Sequence, residues 1–109
     1  MKVRWTEKAT ADVIGIFDYI ARQSSGYAGV VCELILSRPH QLLDHPYPGS
    51  IVPEYGVNDI REVLVYSFRL IYRISGFEVR ILTVVHGSHL LPPEPPDEAE
   101  QGRPPETAG

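Results

Sequence analysis

Three stretches of the chain, 60–66, 68–74 and 78–86, are rich in β-branched and aromatic residues, and only short breaks separate them. Stretches of this composition and length are typical of β-strands. Such short breaks leave room only for tight turns, which require the strands on either side to run antiparallel. The segment is therefore predicted to form a three-stranded antiparallel sheet, and the rest of the chain has to cover at least one face of it.

The two breaks also set the register, because two-residue turns at Tyr66-Ser67 and Ser75-Gly76 pair the residues that flank them. The predicted pairs are Leu64 with Arg69, Glu62 with Ile71, Arg73 with Glu78, Tyr72 with Val79, Ile71 with Arg80, and Arg69 with Leu82. One face is then mostly apolar and should pack on the helices; it carries Val63, Val65, Phe68, Leu70, Tyr72, Ile74, Val79, Ile81 and Val85. The other face is mixed and is predicted to be exposed; it carries Glu62, Arg69, Ile71, Arg73, Glu78, Arg80, Leu82, Val84 and His86.

The N-terminal half has a different period. After a short strand at 2–5, Thr6 is placed to cap a helix that ends at Ser24-Ser25-Gly26, and a second helical pattern begins near Tyr27. Their apolar positions, spaced by three and four, are Ala9, Val13, Ile16, Phe17 and Ile20, then Val31, Leu34, Ile35 and Leu42. A loop signal at 44–49 ends the second helix. We therefore expect an α+β domain in which an antiparallel helical hairpin packs on one face of a mostly antiparallel sheet.

Some residues oppose helix formation in that hairpin. Pro39 lies inside the second pattern, where it removes a backbone donor and its ring clashes with the preceding turn, at a cost of about 3 kcal/mol. We expect a kink or a restart at 37–39. Gly15 and Gly29 each cost about 1 kcal/mol relative to alanine, so the hairpin is weakly specified on its own.

The net charge of −4 is located in the C-terminal segment. Residues 93–109 carry five acidic side chains against Arg103 alone, whereas residues 1–92 carry nine acidic and nine basic ones. Proteins that bind nucleic acid through its phosphates usually carry more basic than acidic side chains, and this neutral domain does not. We therefore expect no direct sequence-specific binding of nucleic acid. Six of the ten prolines follow Leu91, with no large apolar residue after it. The prediction is a domain at 1–91 and a disordered tail rich in Pro and Glu at 92–109.

Other classes of protein are disfavoured. No apolar run approaches the roughly 18 residues of a membrane span, and the N-terminus has no signal-peptide core, so a cytoplasmic protein is expected. The lone Cys32 cannot form an internal disulfide. The four histidines, His40, His45, His86 and His89, show no metal-binding spacing, and we expect neither a metal nor a cofactor.

Several motifs of the chain occur in this order in one known superfamily. They are Val3-Arg4-Trp5-Thr6 with Ala9 and Asp12, Phe17-Asp18-Tyr19-Ile20-Ala21, His45-Pro46-Tyr47-Pro48-Gly49, Ile60-Arg61-Glu62-Val63, Phe68-Arg69-Leu70-Ile71-Tyr72-Arg73-Ile74, and Ile81-Leu82-Thr83-Val84-Val85-His86-Gly87. In these motifs, over roughly residues 2–91, the chain resembles the ParE/RelE toxins of type II toxin–antitoxin systems. The resemblance implies a βααβββ fold and a cognate antitoxin. ParE-like members are understood to poison DNA gyrase, and RelE-like members to cut messenger RNA in the ribosomal A site.

The residues favour a ParE-like member with a ParD-like antitoxin. RelE-like nucleases place two lysines on the strand that corresponds to 60–66, and here Ile60 and Glu62 stand at the matching positions. Their late catalytic tyrosine has no counterpart, although the shared strand arginine is present as Arg69. RNA cleavage needs a base, an acid and cations for the phosphate, and Glu62 would repel that phosphate. ParE-like members often end the last strand with H-G-x-R-D, where this chain has His89 for the arginine.

The candidates for contact with a target are five: Arg69, Arg73, Arg80, His86 and His89. In the alternative hypothesis of an RNA endonuclease, Arg69 and His86 would be the catalytic pair; in the gyrase inhibitor no residue is catalytic. The arginines could instead be ordinary cross-strand partners of Glu62 and Glu78. A third hypothesis is an attenuated toxin that only binds its antitoxin. The sequence leaves these alternatives open.

Overall fold

The computed structural model describes residues 1–43 and 49–96, and it has the predicted α+β architecture. Its elements are β1 (Lys2–Trp5), α1 (Glu7–Ala21), α2 (Ser25–Leu42), β2 (Ser50–Ile51), β3 (Ile60–Val65), β4 (Phe68–Ser75) and β5 (Glu78–His86). The strands form one sheet in the order β1-β5-β4-β3-β2. Among the described strands, β1 and β5 pair in parallel and the other neighbours pair antiparallel. The short strand β2 was not predicted, and most of the loop expected before it, 44–48, lies outside the described residues.

Side-chain caps begin both helices. The hydroxyl of Thr6 accepts from the N–H of Ala9 (3.1 Å) and donates to the carbonyl of Ile81 (2.7 Å), so the cap also joins α1 to β5. The hydroxyl of Ser24 accepts from the N–H of Tyr27 (3.1 Å). Because Ser24 is a cap rather than part of a terminating turn, α2 begins at Ser25, slightly earlier than predicted.

Helix α2 runs through Pro39 without the restart that the sequence suggested. The ring of Pro39 is less than 2 % exposed. Burial of its apolar atoms offsets part of the cost of the missing backbone hydrogen bond. Two residues before Pro39, the hydroxyl of Ser37 donates to the carbonyl of Leu34 (3.2 Å) and so binds another backbone acceptor in this part of the helix.

The main core lies between the helical hairpin and the sheet. Its buried members are Ala9, Val13, Val31, Cys32, Ile35, Leu42, Val63, Val65, Leu70, Tyr72, Val79, Ile81 and Val84. Cys32 is buried there, and burial raises the pKa of its thiol. The helix-facing residues predicted for β3 and β4 are correct, and in β5 Val79 and Ile81 are correct as well. Val85 was predicted on this face, but Val84 takes its place.

The first hairpin has the predicted register, with Leu64 opposite Arg69 and Glu62 opposite Ile71. The second hairpin was predicted two residues out of register. Its closing pair is Ser75 with Glu78, so the turn is Gly76-Phe77. Gly76 adopts a φ of +56°, which glycine reaches without strain and which two-residue hairpin turns require at their first position. Because the register differs by two residues, an even number, each side chain of β5 up to Ile81 still lies on the predicted face of the sheet.

A β-bulge in β5 changes the faces beyond that point. Tyr72 pairs with Ile81 and Ile71 pairs with Thr83, which leaves Leu82 as the extra residue. One extra residue inverts the alternation of all side chains that follow it. Sequence alternation alone cannot show a bulge, and this is why the end of β5 was predicted wrongly.

The inversion moves His86 to the other face of the sheet. His86 pairs with Phe68, and their ring centroids lie 5.7 Å apart in an edge-to-face contact on the helix side. The prediction that His86 shares a face with Arg69, Arg73 and Arg80 was therefore wrong.

A second, smaller core covers the face that was predicted to be exposed. Val52, Ile60, Ile71 and Leu82 are fully buried in it, and Tyr55, Val85 and Leu91 pack at its edge. The residues that close this face are the covering loop (52–59) and Leu91. No helix in the described part of the chain is both long and apolar enough to cross a membrane.

Candidate functional site

Arg69 lies at the centre of an ion-pair cluster beside the second core, and only 8 % of the residue is exposed. Its Nη1 and Nη2 donate to the two carboxylate oxygens of Glu54, each at 2.8 Å. Its Nε donates to Oε1 of Glu62 at 2.6 Å. We call these three residues the Arg69 cluster. A fork-to-fork pair with a second carboxylate on Nε directs the guanidinium inward, toward its own chain.

The pairing has a clear electrostatic result. Hydrogen bonds from Arg69 hold the pKa of Glu54 down, from its ordinary 4.5 to about 2. The hydrogen bonds from Glu54 and Glu62 in turn raise the pKa of Arg69 above its already high ordinary value. Two carboxylates surround one cation, so the Arg69 cluster is formally negative and offers no free positive charge to a phosphate.

The covering loop brings Glu54 to Arg69. A tight turn holds it, in which the N–H groups of Tyr55 (3.1 Å) and Gly56 (2.9 Å) donate to the carbonyl of Val52. Gly56 takes a φ of +63°, a conformation that favours glycine. The N–H of Val52 donates to the carbonyl of Ile60 (3.3 Å), which joins the loop to β3. The sequence gives little indication of the pair between Glu54 and Arg69, because Glu54 lies in a loop and the two residues are 15 positions apart in the chain.

Arg61 fastens the start of β3 to the chain segments beside it. Its Nε and Nη2 donate to the backbone carbonyl and the side-chain oxygen of Asn58, each at 2.8 Å, and its Nη1 donates to the carbonyl of Gly49 (3.1 Å). The N–H of Gly49 donates to the buried hydroxyl of Tyr72. A side chain at Gly49 would bring its Cβ within 2.0 Å of the carbonyl oxygen of Glu62, so only glycine fits here.

Arg73 and Arg80 lie opposite each other on β4 and β5, away from Arg69 along the strands. The Nε of Arg73 lies 3.5 Å from the carboxylate of Asp59. Arg80 instead binds Glu78, with its Nε at 2.7 Å and its Nη2 at 2.6 Å. The predicted pair of Arg73 with Glu78 is therefore replaced, because the register places Ser75 opposite Glu78.

The two histidines among the candidates, His86 and His89, lie away from the three arginines. A groove of about 520 Å³, which we call the α1 groove, runs between α1 and the ends of β4 and β5. Its lining consists of Lys8, Ala11, Asp12, Gly15, Ile16, Tyr19, Phe68, Val84, Val85, His86 and His89. The Nδ1 of His86 accepts from the N–H of Ser88 (3.2 Å) and lies 2.8 Å from its hydroxyl.

Asp12 holds the β-bulge at the floor of this groove. Its Oδ2 accepts from the N–H of Val84 (3.0 Å) and from the hydroxyl of Thr83 (2.5 Å). Lys8 neutralises the carboxylate at 3.2 Å and also donates to the Thr83 hydroxyl. Sequence reasoning gave Asp12 no such role. The spacing of Lys8 and Asp12 by four residues is the only signal, and it indicates a helical ion pair rather than a bulge clamp.

The structure thus divides the five candidates between two faces of the sheet. Arg69, Arg73 and Arg80 lie on the face of the covering loop, and His86 and His89 border the α1 groove on the helix side. The two residues of the nuclease hypothesis, Arg69 and His86, do not come together. Within 1–43 and 49–96, no group of three or more His, Cys, Asp or Glu side chains could hold a metal ion; His45 lies outside these residues.

Comparisons with known proteins agree with this architecture. The family model described as the ParE toxin of the type II toxin–antitoxin system parDE matches residues 3–91. Among solved structures, the chain is similar to a protein of the chromosomal ParDE toxin–antitoxin system from P. aeruginosa, with 25% sequence identity and a TM-score of 0.63. That match covers 79% of this chain and 95% of the other. A search of curated proteins gave no match.

Proposed function

Because this chain belongs to the ParE toxin family of type II toxin–antitoxin systems, we propose that it inhibits DNA gyrase and that a cognate ParD-like antitoxin neutralises it. It would act in the cytoplasm, where gyrase works on the chromosome. An inhibitor of this kind needs no catalytic residue of its own and no cofactor.

The choice of target depends on Arg69, whose guanidinium is already bound by two carboxylates. A nuclease of the RelE type would use this arginine to stabilise the charge that develops on the phosphate. Here both edges of the guanidinium are bound by Glu54 and Glu62, at 2.6–2.8 Å. A phosphate would have to displace two carboxylates and would then face their negative charge, which opposes binding. This arrangement favours a target that is a protein.

Exposed apolar side chains also favour protein partners. They lie on α2, on β3 and in the turn after β3, and include Tyr27, Val30, Leu34, Leu64 and Tyr66. The rings of Tyr27 and Tyr66 join the two elements, with centroids 6.2 Å apart. Aromatic and apolar residues of this kind are enriched where proteins bind one another.

The first test is expression without antitoxin in a bacterial host, followed by assays with purified components. We expect filamentation and DNA-damage signalling while bulk translation continues, and inhibition of supercoiling or trapping of cleaved DNA on purified gyrase. Prompt cleavage of messenger RNA at A-site codons, abolished in Arg69→Ala, would contradict the proposal and support the nuclease.

A matched variant addresses potency. His89 stands where ParE-like members often carry arginine, and it is exposed at the rim of the α1 groove. If that basic end contributes to inhibition, His89→Arg should inhibit gyrase at a lower concentration than the parent protein. Gyrase inhibition by neither protein, with antitoxin binding intact in both, would favour the attenuated toxin instead.

A further inference from the structure

The turn between β4 and β5 carries an exposed aromatic side chain. Phe77 is the second residue of this two-residue turn, and 84% of it is exposed. Such turns are usually formed by glycine, asparagine, aspartate or serine. Gly76 meets the backbone requirement of the turn through its positive φ, and the phenyl ring contributes nothing to it. The stabilisation that burial of a phenylalanine gives is left unused here, so folding does not account for the choice of Phe77.

Backbone hydrogen bonds hold this turn on both sides. The N–H of Lys2 donates to the carbonyl of Phe77 at 2.8 Å, which fixes the turn to β1. The N–H of Ile74 donates to the carbonyl of Asp59 at 2.9 Å, which fixes the end of β4 to the covering loop. A ring that is presented by an ordered backbone loses little entropy when a partner binds it.

Beside the turn, three arginines lie in a row across the sheet. Arg80 of β5 is directly opposite Arg4 of β1 on one side and Arg73 of β4 on the other. Like charges at directly opposite positions destabilise a sheet. Glu78 offsets part of this cost, since it binds Arg80 at 2.6 Å and lies 3.7 Å from Arg4. Asp59 lies 3.5 Å from Arg73.

Lys2 adds a fourth cation to the same surface. Val3 and Trp5 pack on the main core, so the alternation of β1 turns Lys2 and Arg4 to the face of the covering loop. Lys2 is opposite Glu78. Four cations therefore stand against two carboxylates, although residues 1–92 are neutral as a whole. Positive charge is concentrated at this end of the sheet, around an exposed ring. We call this the tip surface, and its members are Lys2, Arg4, Arg73, Phe77 and Arg80.

Aromatic rings beside arginines are the usual composition of interface hot spots. We propose that the tip surface binds gyrase: Phe77 enters an apolar pocket of the enzyme, and the arginine row meets acidic side chains around that pocket. A protein fits better than DNA, because a ring with a charged rim matches the anatomy of a protein interface and because Glu78 and Asp59 would repel phosphates. Two of the five candidates for contact with the target, Arg73 and Arg80, belong to this surface. That the partner is gyrase rests on the proposed function.

Binding to reconstituted gyrase without DNA, measured by biolayer interferometry, tests the ring. Phe77→Ser should lower the affinity by about tenfold or more, and Phe77→Tyr should retain most of it. The thermal midpoint of Phe77→Ser should lie within about 2 °C of the parent value, because the side chain is exposed. Leu36→Ser is the control. Leu36 is 47% exposed on α2, on the other side of the sheet, and its replacement should leave gyrase binding unchanged.

A second pair of variants tests the charge. Arg4→Gln removes one cation from the tip surface, and Arg22→Gln removes one from the exposed end of α1. Charges at the rim of an interface act mainly on the association rate and on its salt dependence. Arg4→Gln should slow association with gyrase by about threefold at low salt and weaken the salt dependence. Arg22→Gln should associate like the parent protein.

Unchanged gyrase affinity in Phe77→Ser, with binding by the parent established, would overturn the tip surface and leave the proposed target intact. Losses in Phe77→Ser and Arg4→Gln that appear only when gyrase carries DNA would overturn the protein contact in favour of a phosphate contact.

A small probe separates the surface from the target. Naphthalene-1-sulfonate is an aromatic anion, and it should shift the NMR signals of Arg4 and Arg80 in the parent protein and in Leu36→Ser, but not in Phe77→Ser. This result in a parent protein that does not bind gyrase would contradict the proposed target and support the tip surface as a site for another acidic protein. Absence of these shifts together with absence of gyrase binding would overturn both.

Discussion

Arg69 shows how the surroundings of a single residue decide what it can do. The same side chain that could bind a phosphate is here held by Glu54 and Glu62 beneath the surface. A charged group that is largely removed from water needs such partners, because an uncompensated charge there costs several kcal/mol. The cluster therefore ties β4, β3 and the covering loop together, and its role in the described structure is structural.

Removing the guanidinium should be costly for stability. Arg69→Ala leaves two carboxylates beside each other without their cation, and we expect the free energy of unfolding to fall by about 3 kcal/mol. Arg73→Ala on the same strand is the control. Its side chain is 30% exposed and lies 3.5 Å from Asp59, so its loss should cost no more than about 1 kcal/mol. Chemical denaturation measures both. Equal, small losses would show that the Arg69 cluster is as well solvated as a surface pair.

The pKa of Glu54 gives the cluster a pH dependence. In the folded protein it is about 2, against an ordinary value of 4.5. A carboxyl whose pKa is lowered by folding stabilises the native state above its unfolded pKa, and this contribution is lost as the pH falls toward the folded value. The thermal midpoint should therefore fall between about pH 4.5 and pH 2. Glu54→Gln should be less stable than the parent at pH 7 and should fall less steeply in this range. Parallel curves for the two proteins would exclude Glu54 as the source.

At the scale of elements, the bulge in β5 and helix α1 depend on each other. The extra residue at Leu82 inverts the alternation and turns Val84 toward the helices. Asp12 of α1 accepts from the N–H of Val84 and from the hydroxyl of Thr83, the two residues that follow the extra one. A bulge redirects side chains, and this one places His86 beside the α1 groove.

Asp12 should therefore be important for stability. Asp12→Ala would leave a backbone N–H and a buried hydroxyl without their acceptor, at a cost of about 2 kcal/mol. Asp18→Ala removes an exposed carboxylate from the same helix and should change stability by less than about 0.5 kcal/mol. Urea unfolding distinguishes the two. If the variants were equally stable, water or Lys8 alone would be sufficient to hold the bulge.

At the scale of the whole molecule, the sheet is covered on both faces, although unequally. The helices bury one face over the length of the sheet, and the covering loop and Leu91 bury the centre of the other. The chain continues along this second cover: the hydroxyl of Tyr55 donates to the carbonyl of Pro92 (3.1 Å) and lies 3.4 Å from that of Glu94. The first residues after the predicted domain boundary thus contact the domain, and disorder of 97–109 stays a prediction.

Two truncations test where the folded part ends. A chain that stops at residue 96 should unfold within about 2 °C of the full chain, because residues 97–109 contain no large apolar side chain. A chain that stops at residue 91 loses the acceptors of Tyr55, and its thermal midpoint should drop by about 4 °C. A drop of several degrees for the longer truncated chain would show that the tail packs on the domain.

Local patterns were sufficient for the fold class and for the helix-facing side chains of β3 and β4. The alternation of Val63, Leu70 and Tyr72 and the helical spacing of Ala9 and Val13 depend on the geometry of each element alone. The turn at Tyr66-Ser67 gave the correct register for the same reason. These features depend on neighbours in the chain, so they can be read from the amino-acid order.

Contacts between distant residues decided the rest. The residues around Leu82 do not predict a bulge, because Asp12, the side chain that stabilises the bulge, lies about 70 residues earlier in the chain. Glu54 and Val52 belong to a loop with no strong pattern, yet they close the second face and bind Arg69. Whether a charged side chain becomes a binding group or a buried partner depends on which segments fold against it, and that is a property of the tertiary structure.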